Sequence, residues 1–203
     1  MYFLFIAIAA TLFACASVPV GDECPTESGT AVNPISTAGV GFPVFELPMP
    51  ASEEEKGYLG LDGSGNFKVR QIKARVLIIE VFSFYCPHCQ RTAAQVNDLY
   101  QMIEKRADLK GKVKMIGIGA KNSAYEIDAY KERYHVPFPL FPDEEMEITE
   151  KLGVKGTPTF IGVKADGKGN QKQIYFGEGG FQDNQKFLTE IIRLSGLQQG
   201  GKR

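Results

Sequence analysis

Read for apolar and polar positions, the chain opens on an apolar run from Tyr2 to Ala14 in "MYFLFIAIAATLFACASVPV" and then loses all periodicity. Residues 16–40 are rich in Ser, Thr, Pro and Gly with few large apolar side chains, a composition that cannot build a core and reads as a flexible tether. Order is expected to begin at "GFPVFELPMP", where Phe42, Val44 and Phe45 suggest a short edge strand between prolines. The run "EEEK" at 53–56 reads as a solvated turn, and "LDGSGNFKVRQIK" as a turn followed by a short strand or helix start. "RVLIIEVFSF" is a continuous apolar, β-rich run, as expected of a strand buried on both faces of a sheet.

Helical spacing follows: Val96, Leu99, Tyr100 and Ile103 mark one face of "PHCQRTAAQVNDLYQMIEKRAD", with Pro87 suited to the first turn. "KVKMIGIGA" is a second strand. Ser123 and Glu126 have the spacing of a capping box and start a helix. "DEEMEITEKLG" predicts a short helix with Asp143 as N-cap and Gly153 just past its C-terminus. "TPTFIGV" and "KQIYFGE" bracket the turn "KADGKGN" as a hairpin, and "DNQKFLTEIIRLSG" closes with Phe187, Leu188, Ile191 and Leu194 on one helical face. The order β-α-β-α-(α)-β-β-α implies an α/β domain over residues 41–197, a mixed central sheet with helices on both faces, followed by a disordered tail at 198–203.

Composition changes this picture little. A net charge of −1 points to no nucleic-acid partner, and 43% hydrophobic residues suffice for a core. Four cysteines in 203 residues are too few for a disulfide scaffold, so each is to be weighed for itself. The N-terminal run is short for a bilayer span and fits the apolar segment of a signal peptide over residues 1–14. Its end, "LFAC", resembles the lipobox of bacterial lipoproteins, which implies cleavage before Cys15, lipid on the Cys15 sulfur and a tether over 15–40. Phe13 is bulkier than that pattern favours, and no Lys or Arg precedes Lys56. A plain signal peptide cut near Ala14 or Ala16 is the alternative. Either places the mature chain outside the cytoplasm, in the periplasm or cell envelope, where disulfide chemistry is permitted.

The chemistry centres on Cys86 and Cys89, at the seam between the buried strand and a helix. Cys86 is expected at the helix N-terminus, where free N–H groups and the helix dipole favour a thiolate. Cys89 lies one turn deeper, so Cys86 should attack and Cys89 resolve the mixed disulfide. An imidazole at His88 is placed to depress the Cys86 pKa further. Zinc would need two more ligands from Cys15, Cys24 and His135, two of which precede the domain. A purely structural disulfide across so short a loop gains little. Cys24 reads as a spare thiol, His135 as a helix C-terminal residue, and the tyrosines of "AYEIDAYKERY" as packing residues. Glu80 is a carboxylate inside an apolar strand, where burial should raise its pKa.

At these residues the chain resembles known families. "EVFSFYCPHCQ" is similar to the active-site segment of DsbA, the periplasmic thiol oxidant, and its strand–turn–helix setting matches the thioredoxin fold. The stretch from "KVKMIGIGA" through "GTPTFIGVKADGKG" resembles the TlpA/ResA family of anchored thiol-disulfide oxidoreductases, which insert a strand and helix before the "GTPT" segment. Roughly seventy residues separate Cys89 from Pro158, too few for the helical domain that DsbA inserts. The resemblance implies a thioredoxin-like fold with that β-α insertion. It implies a cis peptide at Pro158, facing the cysteines and leaving the Thr157 backbone free for an extended substrate. It also implies a proton-relay role for Glu80 beneath Cys89, and no cofactor beyond the Cys86–Cys89 pair and no metal.

The expected activity is extracytoplasmic disulfide exchange with protein cysteines, in the reducing direction, with a membrane thiol-disulfide partner supplying electrons. Apocytochrome c is a client class that the resemblance implies. The Pro87–His88 dipeptide argues instead for an oxidant, because stabilising the thiolate stabilises the reduced form. A third reading, a copper-binding assembly factor resembling Sco proteins, would join His135 to both cysteines.

Overall fold

The structure is a computed structural model that describes residues 41–197; the expected signal segment, the tether with Cys15 and Cys24, and the tail from 198 lie outside the described residues. In chain order the elements are β1 (Glu46–Pro48), α1 (Glu53–Leu59), β2 (Asn66–Lys68), a 3-10 turn (Val69–Gln71), β3 (Val76–Phe82) and α2 (Pro87–Lys105). They continue with β4 (Val113–Ala120), α3 (Ala124–Tyr134), β5 (Leu140–Asp143), α4 (Glu147–Lys151), β6 (Thr159–Ala165), β7 (Gln171–Glu178) and α5 (Asn184–Ser195). The main sheet has the order β5-β4-β3-β6-β7, with β3, β4 and β5 parallel, β6 antiparallel to β3, and β7 antiparallel to β6. β1 and β2 form a separate antiparallel ribbon.

All seven residues of β3 are buried, as the unbroken apolar run requires of a central strand flanked on both sides. Its alternate side chains feed two cores. Leu77, Ile79 and Val81 pack with Phe45 and Leu47 of the ribbon side, Leu59 of α1 and Ile148 of α4. Val76, Ile78 and Phe82 pack with Val96 and Leu99 of α2, Tyr130 of α3 and Leu188 of α5. Helices therefore cover both faces of a mixed sheet, as the element order implied. Two strand–helix pairs, β4–α3 and β5–α4, lie between α2 and Pro158.

Four local expectations need correction. Glu53–Lys56 is not a turn but opens α1: the Ser52 side chain accepts from the Glu55 N–H, and three glutamates occupy the first turn, where the helix dipole favours them. Asp143 is not the N-cap of α4, because it ends β5 and Met146 holds the cap position in the left-handed region. Its carboxylate still accepts from the N–H groups of Ile148 and Thr149 at 3.1 and 2.7 Å, capping the helix from the strand. The first strand falls at Glu46–Pro48 rather than Phe42–Phe45, whose rings serve the core. β5 had no counterpart in the pattern, since Pro139 and Pro142 interrupt "PFPLFPD"; an edge position tolerates the missing donor. The capping box of α3 is present as expected, with Ser123 and Glu126 exchanging hydrogen bonds. Among the described residues, no helix is long and apolar enough to cross a membrane.

Candidate active site

The C-terminal end of β3 delivers the chain through Ser83, Phe84 and Tyr85 to Cys86, the N-cap of α2. Extended backbone at Cys86 and Pro87 at the first helical position start the helix, and the cap acceptor is sulfur: Cys86 Sγ accepts from the Cys89 N–H at 3.1 Å. Cys86 is half-buried, Cys89 fully buried, and both are free thiols. The loop before them is clamped at one residue. The Phe84 N–H donates to Oδ1 of the buried Asn122 at 2.8 Å, and the Phe84 carbonyl accepts from Gln90 Nε2 at 2.7 Å.

Burial alone would raise the pKa of Cys86. It is outweighed by hydrogen bonds from the Cys89 thiol, from Thr157 and from the backbone N–H groups of Cys89 and His88, so the net direction is down. Cys89 moves the other way, raised by burial first and by its hydrogen bond to Cys86 second. The pair thus divides into a sulfur ready to be a thiolate and one that holds its proton. His88 is exposed and acts on Cys86 through its backbone N–H rather than through the expected imidazole contact. Pro87 is likewise exposed.

Opposite the thiols runs the segment before β6. The Thr157–Pro158 peptide bond is cis. Cys86 Sγ donates to the Thr157 carbonyl at 3.3 Å, and the Gly179 N–H donates to the Pro158 carbonyl at 2.8 Å. Among the described residues the Thr157 N–H has no partner.

Glu80 shares its face of β3 with Ile78 and Phe82, which is the face that α2 and Cys89 cover. It is 3% exposed, its Oε1 has no hydrogen-bond partner among the described residues, and burial pushes its pKa up to about 8. Beside it stands Tyr130, whose hydroxyl donates to the Cys89 carbonyl at 3.1 Å and whose ring lies 4.5 Å from that of Phe82. Burial raises the Tyr130 pKa first, and the charges of Glu80 and Cys89 raise it further. Glu80, Tyr130 and Cys89 are therefore one buried group of polar side chains.

Tyr130, Asn122 and Gln90 were not legible as site residues. Tyr130 falls three positions after Ile127 and reads as a packing residue, which its ring also is. Asn122 has no signal beyond standing before a helix cap. The structure does not bring His135 to the cysteines. It caps the C-terminus of α3, and its carbonyl meets Asn97, two helical turns along α2 from Cys89.

The sheet order and the cysteine-bearing helix N-terminus define the class: a thioredoxin-like α/β protein with a dithiol at the end of its central strand. Solved structures agree on that fold. The thioredoxin domain of a thiol-disulfide oxidoreductase from Bacteroides vulgatus is 11% identical and superposes with a TM-score of 0.54 over 75% of this chain and 94% of its own. StoA from Bacillus subtilis is 13% identical, with a TM-score of 0.52 over 73% and 96%. The model of the AhpC/TSA family matches residues 39–174, and the chain belongs to that family. Among curated relatives, the thiol-disulfide oxidoreductase ResA of Halalkalibacterium halodurans is 21% identical over 119 residues, 58% of this chain. That match spans 65% of the relative, just under two thirds of its length.

Proposed function

We propose that this protein is an extracytoplasmic thiol-disulfide oxidoreductase acting on protein cysteines. The observation that carries the reading is the Cys86 sulfur at the cap of α2, taking the Cys89 N–H while Cys89 itself is buried. In the reducing direction, the Cys86 thiolate attacks a substrate disulfide, forming a Cys86–substrate disulfide and releasing one substrate thiolate. Cys89 then gives up its proton and attacks Cys86 Sγ, which forms the Cys86–Cys89 disulfide and releases the second substrate thiolate. Glu80 is the base for that proton, and its raised pKa lets it accept one in a buried place where Cys89 needs help to ionise. Tyr130 holds the Cys89 backbone in place during the exchange. The unpaired Thr157 N–H suits an extended segment of substrate laid beside Pro158. No further cofactor enters this scheme.

The relatives named thiol-disulfide oxidoreductase ResA support disulfide exchange, and the reducing direction is our reading of the chain's resemblance to the TlpA/ResA family. It calls for a membrane thiol donor to restore the dithiol, with apocytochrome c as a client class. The apolar start of the chain and the lipobox-like "LFAC" support export and a lipid anchor on Cys15. The donors gathered on the Cys86 sulfur favour the opposite direction, a disulfide-forming oxidant, because each stabilises the reduced form. Equilibration of the Cys86–Cys89 pair with glutathione decides between them. A potential near the strongly oxidising end of the thioredoxin-fold range would overturn the reductase reading. The shared chemistry is tested by thiol trapping: at neutral pH an alkylating agent should label Cys86 and spare Cys89. Full insulin reduction by Cys86→Ser would sink both directions at once.

A further inference from the structure

The end of the sheet remote from the thiols carries a second feature. β3 runs seven residues from Val76 to Phe82, so its two ends lie about 20 Å apart. At the N-terminal end is an open cavity of about 370 Å³, lined by Arg70, Lys73, Arg75, Gly111, Gly167 and Gln171 among others, with no carboxylate in the lining. Arg70, Lys73 and Arg75 are exposed and have no ion-pair partner among the described residues. What distinguishes them is their convergence on one concave site whose lining carries no acid. Exposed Lys112 follows Gly111, and its carbonyl accepts from the N–H groups of Arg75 and Val76. Exposed Lys172 adjoins Gln171. The acid in the β6–β7 turn, Asp166, is already committed, its carboxylate accepting from the N–H groups of Lys168 and Asn170 and from the Asn170 amide.

The chain also enters the domain here. Gly41 bridges to Lys172, and the Phe42 N–H donates to the Gln171 carbonyl at 2.9 Å. A segment joining this domain to a membrane therefore meets it at the cationic end.

We propose that this end docks on an anionic bilayer surface, with a lipid headgroup phosphate seated among Arg70, Lys73 and Arg75. Clustered cations without partners are attracted to an anionic leaflet, and the concave site gives one phosphate three donors at once. Docked in this way, the domain directs Cys86 and Thr157 away from the bilayer, toward a protein client. The bilayer as occupant rests on the anchored, extracytoplasmic reading above, whereas the cation cluster stands on the geometry alone.

The test uses the full chain with Cys15→Ser, so that no lipid contributes. Binding is measured to vesicles of phosphatidylcholine alone and of phosphatidylcholine mixed with phosphatidylglycerol. Apolar residues at the N-terminus would act on both kinds of vesicle, so the readout is the ratio between them. The expected preference for the anionic vesicles weakens with salt and falls about tenfold or more in Arg70→Gln/Lys73→Gln/Arg75→Gln. Unchanged protection of buried Cys89 from alkylation shows that this variant is folded. An equal affinity for the two kinds of vesicle overturns the proposal. So does a preference that survives the triple substitution, or a site saturated by inorganic phosphate with no preference between vesicles. Mass spectrometry of Cys15 in exported protein tests the anchor separately, so either idea can fail while the other stands.

Discussion

The two faces of β3 are both buried and differ in what they bury. On one, Leu77, Ile79 and Val81 meet an apolar cluster that includes Phe45, Leu47, Leu59 and Ile148. On the other, Ile78 and Phe82 flank Glu80, and the layer above them holds the Cys89 thiol and the Tyr130 hydroxyl. The strand alternates one residue at a time, so neighbours in sequence serve opposite ends. The first face is dominated by apolar burial. The second carries a buried carboxyl oxygen with no hydrogen-bond partner among the described residues, which costs some stability; in the proposed mechanism that carboxyl is the proton acceptor for the buried thiol.

The comparison is tested most severely at the nucleophile. Cys86→Ser should lower turnover at least ~10³-fold while leaving the melting temperature nearly unchanged, measured by insulin reduction and by calorimetry. On the apolar face, Ile79→Ala should cost about 2–5 kcal/mol in denaturant unfolding, with turnover of the folded protein unaltered. A large loss of turnover in that variant would mean that the two faces are not separate.

Glu80→Gln should reverse that pattern, slowing the resolving step about a hundredfold in single-turnover trapping while adding stability at alkaline pH. The sign follows from the shift: the folded pKa, about 8, lies above the ordinary 4.5. The wild-type carboxyl therefore keeps its full contribution below about pH 4.5 and loses it as the pH rises through 8. The advantage of the Gln variant should grow across that window. A constant difference between pH 5 and pH 9 would refute the burial of Glu80 as the cause. The smallest effect is expected at Tyr130→Phe, about 1 kcal/mol of stability from the lost hydrogen bond, with a modest slowing of resolution. No change in either would make the tyrosine a packing residue after all.

Much of this was legible before any folding was considered, and the reason is local physics. β3 announced itself by seven apolar-rich residues because it is buried over its whole length, and α2 by its spacing because one face of it is buried along the helix. The capping box of α3 is a contact between residues three apart and needs no tertiary partner. Glu80 stood out because a charge in an apolar run is costly wherever it is buried. α1 and β5 were missed for the opposite reason. A helix opening on three glutamates is held by its cap and by buried Leu59, and a strand with a proline in it by its parallel pairing with β4 across the intervening helix α3.

The sequence by itself determined the dithiol and its place at a strand–helix seam, and it set the expected order of reactivity within the pair, since a helix N-terminus favours the same sulfur in any fold. Only the tertiary structure decided what surrounds the pair. Tyr130 reaches Cys89 across 41 residues, Asn122 clamps Phe84 across 38, and Thr157 meets Cys86 across 71. The same packing gathers Arg70, Lys73 and Arg75 around a cavity whose far wall comes from the β6–β7 turn. Contacts of that kind carry no periodicity, because what holds them is the closing of the sheet rather than any spacing along the chain.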